Sequence, residues 1–385
     1  MPFQGEPIGS EIGTATARRA LRGAAALLCI ALLTVGCAGP RSQGTVAPGP
    51  TPEPTPEIPV AEALDETVTD VATPRPAPTW DPAIRLPGGA AALPAVPDGV
   101  AFRGHLLIVD RGNLRIVEID PDGDMTWSFP RPDDAEAHRY AAWDDANYGV
   151  DGTTIYANSD PTSTVIAIDV ATRTVKWHKG TPNQPGRGED GFAGPDDAVQ
   201  GLDGTVWVAD IRNCRIVRLS GADGHFLGSL GDGKCAHKPP GRFASPNGAF
   251  PTANGDIIVT EIGGQWIDRI GPDGSLRWAF RSPTAYPSDA MALPDGSVLV
   301  TDYTQPGQVL RLAPDGTVRW RFDAGGKLVN PSSAVPLASN RIAIGDDFGD
   351  RVLIVDPTTD QIVREFRSAG GIPFKWIDSV DFRPD

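Results

Sequence analysis

The sequence has few of the residues from which common catalytic sites are built. Five histidines occur in 385 residues, and neither a His-x-His nor a His-Glu-x-x-His spacing is present. A zinc site built from histidines therefore has no support. A Gly-x-Ser-x-Gly elbow and a phosphate-binding loop are also missing. The sequence consequently predicts a fold more strongly than it predicts a reaction.

Positive charge is scarce as well. The chain has 34 Lys and Arg against 49 Asp and Glu, which gives a formal net charge of −15. Nucleic-acid binding needs a basic surface that replaces the counterions of the phosphates. This composition argues against a nucleic-acid partner, and it fits cationic ligands or simple solubility.

The N-terminus predicts export. Residues 18–37, RRALRGAAALLCIALLTVGC, begin with basic residues and contain an apolar core of about thirteen residues, shorter than the ~20 residues that span a bilayer. The ending Leu33-Thr34-Val35-Gly36-Cys37 resembles a bacterial lipobox, which implies a lipid on Cys37 and an extracytoplasmic position on the cell membrane. Thr34 stands where Leu is usual, so ordinary secretion is the alternative. Arg18-Arg19 leaves both the general and the twin-arginine export route open.

A tether follows this signal. Residues 38–78 are rich in Pro, Thr, Glu and Ala, as in PGPTPEPTPEIP, and such composition favours an extended, semi-rigid spacer. We therefore predict a signal segment over 1–37, a tether over 38–78 and one folded domain over 79–385.

The predicted domain contains a repeated unit, seen most clearly in residues 195–230. Short apolar runs with turn residues between them make four strands, and the unit recurs about every 41 to 52 residues, as in a β-propeller blade. The inner-strand pattern occurs seven times, beginning at Pro97, Trp143, Pro195, Pro246, Pro287, Pro331 and Trp376.

The number of blades depends on how the ring closes. If the final run Ile377–Phe382 pairs beside HLLIVD, it completes the first blade and gives six blades. If Asp98–Phe102 fills that place, a seventh blade is needed. We predict an all-β fold of six four-stranded blades, with seven as the alternative.

Two segments carry a family resemblance. FAGPDDAVQGLDGTVWVADIRNCRIVRL and GDGKCAHKPPGRFASPNGAFPTANGDIIVTE resemble NHL repeats, and the Asp-Gly-x-x-x-Trp endings resemble quinoprotein-like and arylsulfotransferase propellers. The resemblance implies a propeller and specifies chemistry poorly. The repeated tryptophans are predicted to pack between neighbouring blades, with a carbohydrate-stacking surface as the alternative; they are Trp127, Trp177, Trp278 and Trp320.

Two of the four cysteines lie in one predicted blade. With Cys29 in the signal and Cys37 lipidated, Cys214 and Cys235 remain, and no Cys-x-x-Cys spacing suggests zinc or redox chemistry. Because an exported domain can be oxidised, we predict a disulfide between them, with two free thiols as the alternative.

Acidic residues recur at the strand ends. One set closes the second strand of each blade or begins the turn that follows it: Asp110, Asp160, Asp210, Glu261, Asp302 and Asp346. The other set begins the inner strands: Asp98, Asp145, Asp197, Asp289 and Asp378. Both sets should face one mouth of the channel and could hold Ca²⁺ through oxygen ligands, with Glu261, Asp210, Asp302 and Asp197 as candidates. Alternatively, these acids cap their own turns.

Three longer loops bring basic residues to the same face. They are predicted to take an anionic group, or to be simply solvated, and their candidates are His138, Arg139, Arg187, His237, Lys238 and Arg242. We predict a monomeric, membrane-tethered propeller that binds a protein, peptide or glycan through its loop face. A metal-assisted lactonase- or lyase-type enzyme and an arylsulfotransferase-like enzyme remain as alternatives.

Overall fold

The computed structural model describes Val96 and residues 99–385. The predicted signal segment, Cys37, the tether and Asp98 lie outside the described residues. Within the described part, no helix is both long enough and apolar enough to cross a membrane.

Six antiparallel sheets of four strands each follow one another along the chain, and each sheet is one blade. Blade one consists of β26 (Ile377–Arg383), β1 (His105–Asp110), β2 (Arg115–Ile119) and β3 (Met125–Phe129). Blade two consists of β4 (Ala146–Tyr148), β5 (Thr154–Ser159), β6 (Thr164–Asp169) and β7 (Thr174–Lys179). Blade three consists of β8 (Pro195–Gln200), β9 (Thr205–Asp210), β10 (Arg215–Ser220) and β11 (Phe226–Leu230).

The other three blades repeat this order without interruption. Blade four consists of β12 (Pro246–Pro251), β13 (Ile257–Glu261), β14 (Trp266–Ile270) and β15 (Leu276–Arg281). Blade five consists of β16 (Pro287–Ala292), β17 (Val298–Asp302), β18 (Gln308–Leu312) and β19 (Val318–Phe322). Blade six consists of β20 (Pro331–Leu337), β21 (Arg341–Asp346), β22 (Arg351–Asp356) and β23 (Gln361–Phe366), and a two-stranded ribbon of β24 (Ser368–Ala369) and β25 (Ile372–Pro373) follows it.

The C-terminal strand closes the ring. β26 pairs with β1, with Ile108 opposite Val380, so the chain end supplies the inner strand of blade one. This confirms the six-bladed prediction, and the segment before β1 is not a further inner strand. Its Phe102 is instead buried edge-on against Phe366 at 6.1 Å and Phe382 at 6.5 Å, where it fills the contact between blades six and one.

The tryptophans on the outermost strands join neighbouring blades, as predicted. The indole N–H of Trp127 donates to the carbonyl of Val170 in blade two at 2.8 Å, and that of Trp177 donates to Gly221 in blade three at 3.0 Å. Each ring thus fills space between blades while its polar N–H finds a partner.

The inner strands are irregular where they begin. In blade three, Asp196 pairs with Ala209 and Ala198 pairs with Val208, so Asp197 is an extra residue on the inner strand. Similar register shifts occur near the start of the inner strands of blades one, four, five and six. A β-bulge bends the strand and re-aims its side chains, and here it directs them to the channel mouth.

Candidate functional site

A small polar cavity lies at the channel mouth, where the inner strands begin. Its volume is about 160 Å³. The inner-strand starts contribute Asp144, Asp145, Asp196, Asp197, Asp289 and Asp378. The turns that follow the second strands contribute Asp160 and Arg111. Seven carboxylates therefore surround this cavity with one arginine among them; we call these seven residues the mouth aspartates.

Asp160 begins the turn after its strand, one of the two positions that the sequence predicts for this set of acids. β5 ends at Ser159, which occupies the place that Asp110 and Asp210 have in their own blades. Asp160 comes one residue later and lines the cavity, where it pairs with Arg212 at 2.9 Å. The predicted strand-end acid of blade two is therefore a mouth residue.

Arg111 bridges the two sides of the cavity. Its guanidinium forms ion pairs with Asp144 and with Asp378, and it lies over the indole ring of Trp376 at 4.6 Å. Asp144 begins blade two and Asp378 begins blade one, so the bridge depends on closure of the ring. One guanidinium cannot neutralise seven carboxylates.

Burial raises the pKa values of five of the seven mouth aspartates. Burial, followed by repulsion from neighbouring carboxylates, raises the pKa of Asp144, Asp196 and Asp197 well above the usual range. Burial raises the pKa of Asp289 to about 8 and that of Asp378 to about 7, although Arg111 opposes the shift at Asp378. These five carboxyl groups therefore hold their protons to higher pH than free aspartates do, and Asp289 is still protonated at neutral pH.

Aromatic rings line the same mouth. The rings of Tyr286 and Tyr303 lie 5.5 Å apart. The hydroxyl of Tyr303 and the indole N–H of Trp376 both donate to Asp347, at 2.5 Å and 3.0 Å. Aromatic faces beside carboxylates suit an organic cation, because both attract positive charge. The sequence analysis did not predict that these rings line the mouth. Their positions could have indicated it, because Tyr303 directly follows a strand-end acid and Trp376 directly precedes the last inner strand.

The acids that end the second strands are capping residues. The carboxylate of Asp210 accepts the N–H of Ala193 in the loop that enters its blade, and it accepts side-chain bonds from Asn213 and Arg215, all at 2.8 Å. Asp302 likewise accepts the N–H groups of residues 285 and 286 and the side-chain amide of Gln308. Asp110 and Asp346 follow the same scheme.

These four residues, Asp110, Asp210, Asp302 and Asp346, are the strand-end caps. Their oxygens accept hydrogen bonds from backbone N–H groups of the loops and, in three of the four, from an arginine. These contacts agree with the capping alternative. Of the four metal candidates, only Asp197 lies in the central cavity. Asp210 and Asp302 belong to the caps of two different blades.

Blade four departs from the scheme. Glu261 accepts the N–H of Ala244 and contacts His237 Nδ1 at 2.9 Å. Trp266 stands where blade three has Arg215, and its ring stacks on His237 at 3.8 Å. Asp268, which the sequence analysis did not single out, is completely buried beside Glu261, and burial followed by that neighbour raises its pKa to about 10.

The predicted basic loop residues do not form one group. Arg187 and Arg242 meet at Asp232, where Arg187 donates to its carbonyl at 3.3 Å and Arg242 to its carboxylate at 2.9 Å. His138 is exposed in the short helix Ala137–Tyr140, whereas His237 turns inward to Glu261. Arg139 pairs with Glu136 at the surface.

The predicted disulfide is present. Cys214 and Cys235 are bonded, with their Cα atoms 5.2 Å apart. The bond ties the loop of residues 231–245, which carries His237, to the turn that precedes β10.

Comparisons with known proteins support the fold. No protein-family model matches the chain, and no curated protein matches it. A protein of unknown function from Bacteroides caccae is similar in structure at 17% identity, with a TM-score of 0.53 over 72% of this chain and 98% of that one. A structure of the nidogen/laminin complex gives 13% identity and a TM-score of 0.53 over 72% of this chain and 97% of that one.

A virginiamycin B lyase from Staphylococcus aureus, solved with quinupristin, gives 17% identity and a TM-score of 0.44 over 63% of this chain and 84% of that one. At these identities the similarities concern the fold alone. The chain is a six-bladed β-propeller.

Proposed function

We propose that this propeller is an extracytoplasmic binding protein whose channel mouth receives a cationic side chain of a protein or peptide. The observation that carries the proposal is the excess of carboxylates at the cavity, seven against Arg111 in its wall and Arg212, which pairs with Asp160. Burying unpaired negative charge destabilises a fold, and a cation from a partner would offset that cost.

The shape of the mouth favours a side chain over a large ligand. A cavity of about 160 Å³ accepts a guanidinium or ammonium group and leaves the remainder of a partner on the surrounding loops. Tyr286 and Tyr303 border it with aromatic faces. A guanidinium already occupies such a setting within the chain, since Arg111 lies between two carboxylates and over Trp376. The carboxylates of Asp196, Asp197 and Asp289 would bind a second cation by the same kind of contact.

The test uses calorimetric titration of the full-length protein in detergent at pH 8. The probe is the peptide amide Gly-Gly-Arg-Gly-Gly, and its control replaces Arg with citrulline, which keeps the shape and removes the charge. We expect the arginine peptide to bind at least about tenfold more tightly, a difference of about 1.4 kcal/mol. Asp196→Asn, at the mouth, should weaken arginine binding to a similar extent.

The matched control variant is Asp315→Asn, because Asp315 lies in an exposed turn between the third and fourth strands of blade five, on the opposite face. It should leave binding unchanged. Equal affinity for the two peptides would contradict the proposal. Stoichiometric Ca²⁺ binding that is lost in Asp196→Asn, with no peptide binding, would replace the proposal with the calcium site considered from the sequence.

The proposed location rests on Cys37 and on the disulfide. The Cys214–Cys235 bond agrees with an oxidising compartment. Membrane fractionation tests the anchor: Cys37→Ser should move the protein from the membrane to the soluble fraction, because a lipidated cysteine would be its attachment. Unchanged retention in the membrane would contradict lipidation at this residue.

A further inference from the structure

We infer that His237, Glu261 and Asp268 form a binding site for a first-row transition metal ion, Zn²⁺ being the best match. The site lies in blade four, between the ends of β13 and β14 and the disulfide-bonded loop. It is separate from the channel mouth and does not depend on the function proposed for the mouth.

The ligand atoms are already close together. His237 Nδ1 is 2.9 Å from Glu261 Oε1 and 3.9 Å from Asp268 Oδ2, and one ligand atom of each residue lies within 4.8 Å of the others. A tetrahedral zinc ion with bonds of about 2.0–2.2 Å keeps its ligand atoms about 3.3–3.6 Å apart. The two distances from His237 Nδ1 lie within about 0.4 Å of this range, and no pair of ligand atoms has to close by more than about 1.2 Å to bind the ion.

Asp268 provides an independent indication. It is completely buried, and within residues 99–385 neither of its carboxyl oxygens accepts a hydrogen bond. A buried carboxylate without donors is costly, and native proteins rarely keep one without a reason. One of its oxygens faces His237, at the distance given above, so the unsatisfied group points into the cluster.

The equivalent positions in other blades show that an acid is exceptional there. Asp268 pairs with Val259, two residues before the end of the second strand. At the same register, blade three has Val217 and blade six has Leu353, both buried in apolar contacts between blades. Blade four thus replaces a core residue by a carboxyl group, and it also replaces the capping arginine of blade three by Trp266.

The donor set selects the kind of metal. An imidazole nitrogen with two carboxylates suits Zn²⁺, whereas Ca²⁺ and Mg²⁺ prefer shells of six or more oxygens. Three protein ligands leave a fourth position. The side chain of His237 is 21% exposed while those of Glu261 and Asp268 are buried, so the ion and its fourth ligand enter from the histidine side.

The surroundings hold the ligands in place. His237 is two residues from Cys235, and its ring is stacked on Trp266 with 4° between the planes. The turn after β13 is fixed to the same loop, because Gly263 N–H donates to the carbonyl of Ala244 at 2.8 Å. Rigid support of this kind lowers the cost of organising a metal site.

The experiment is calorimetric titration of full-length, EDTA-treated and dialysed protein with ZnCl₂, with visible absorption of the Co²⁺ form as a second readout. We expect one ion per chain. His237→Gln and Asp268→Asn should each weaken binding by at least about 10–100-fold, the size known for lost metal-supporting groups. His138→Gln removes an exposed histidine from another loop and should leave binding unchanged.

Thermal melting without metal checks that each variant folds. Asp268→Asn should melt no lower than the wild type, because it removes a buried ionisable group. Zn²⁺ should raise the melting temperatures of the wild type and of His138→Gln equally, and those of His237→Gln and Asp268→Asn less. If Asp268→Asn does not fold, His237→Gln decides. The inference is overturned if the wild type fails to bind one Zn²⁺, or if His237→Gln binds it with wild-type affinity.

Discussion

The strand-end caps and the mouth aspartates are the same chemical group on the same face of the propeller, one strand apart. Each cap has its own donors: Asp210 accepts one backbone N–H and two side-chain bonds, and Arg215 stands against it. Among the seven mouth aspartates, Asp144 and Asp378 share Arg111 and Asp160 pairs with Arg212, and burial with mutual repulsion raises several of their pKa values.

The difference lies in where the compensating groups come from. The carboxylate oxygens of a cap are occupied by donors of its own blade, which leaves no free acceptor for a ligand, even though burial raises the pKa values of Asp210 and Asp346. The mouth is formed by different blades, none of which brings enough positive charge to the axis. We interpret the caps as structural and the mouth as the place where a partner can contribute binding energy.

The largest expected effect comes from breaking a cap. Asp210→Ala removes the acceptor for Ala193, Asn213 and Arg215 and leaves a buried guanidinium without its ion pair. We expect a loss of about 3–5 kcal/mol in the free energy of unfolding, measured by urea denaturation. Asp315→Asn is the control, with an expected change below about 0.5 kcal/mol. A loss below about 1 kcal/mol in Asp210→Ala would show that the caps contribute little to stability. The proposed difference between structural caps and a ligand-binding mouth would then have no support.

Much of the fold could be predicted from the sequence because a blade is a local unit. Turn residues, alternating strands and the outer tryptophans repeat within one blade, and the pairing of Ile377–Phe382 with β1 is the one way to complete six blades. The disulfide was predictable for a similar reason, since Cys214 and Cys235 flank the outer strands of one blade.

The sites were less predictable because they depend on contacts between blades and on single-residue register. Arg111 reaches Asp378 across 267 positions of sequence, which no local pattern reveals. Asp160 begins a turn, whereas Asp110 and Asp210 end their strands, and this one-residue difference places it at the mouth instead of among the caps. Asp268 is a buried residue of a third strand. Its acid is seen to be unusual only when the strand pairings place it at the same position as Val217 and Leu353 in other blades.

Neutralising a mouth aspartate is expected to change how the free energy of unfolding depends on pH. Burial raises the pKa of Asp289 in the folded state to about 8, above its ordinary value of about 3.9 in an unfolded chain. The folded protein therefore holds a proton there that the unfolded chain has lost, so the stability from this group is complete below about pH 4 and is lost as pH rises through about 8. Asp289→Asn has no proton to lose.

The most direct test of the unpaired charge at the mouth is the free energy of unfolding of the wild type and of Asp289→Asn, measured side by side between pH 4 and pH 9 without ligand. The subtraction removes the contributions of the titrating groups that do not interact with Asp289. We predict that the free energy of unfolding of Asp289→Asn, relative to that of the wild type, increases steadily from about pH 4 to about pH 8 and is constant above that. A difference that stays constant over the whole range, or changes in favour of the wild type, would contradict the account.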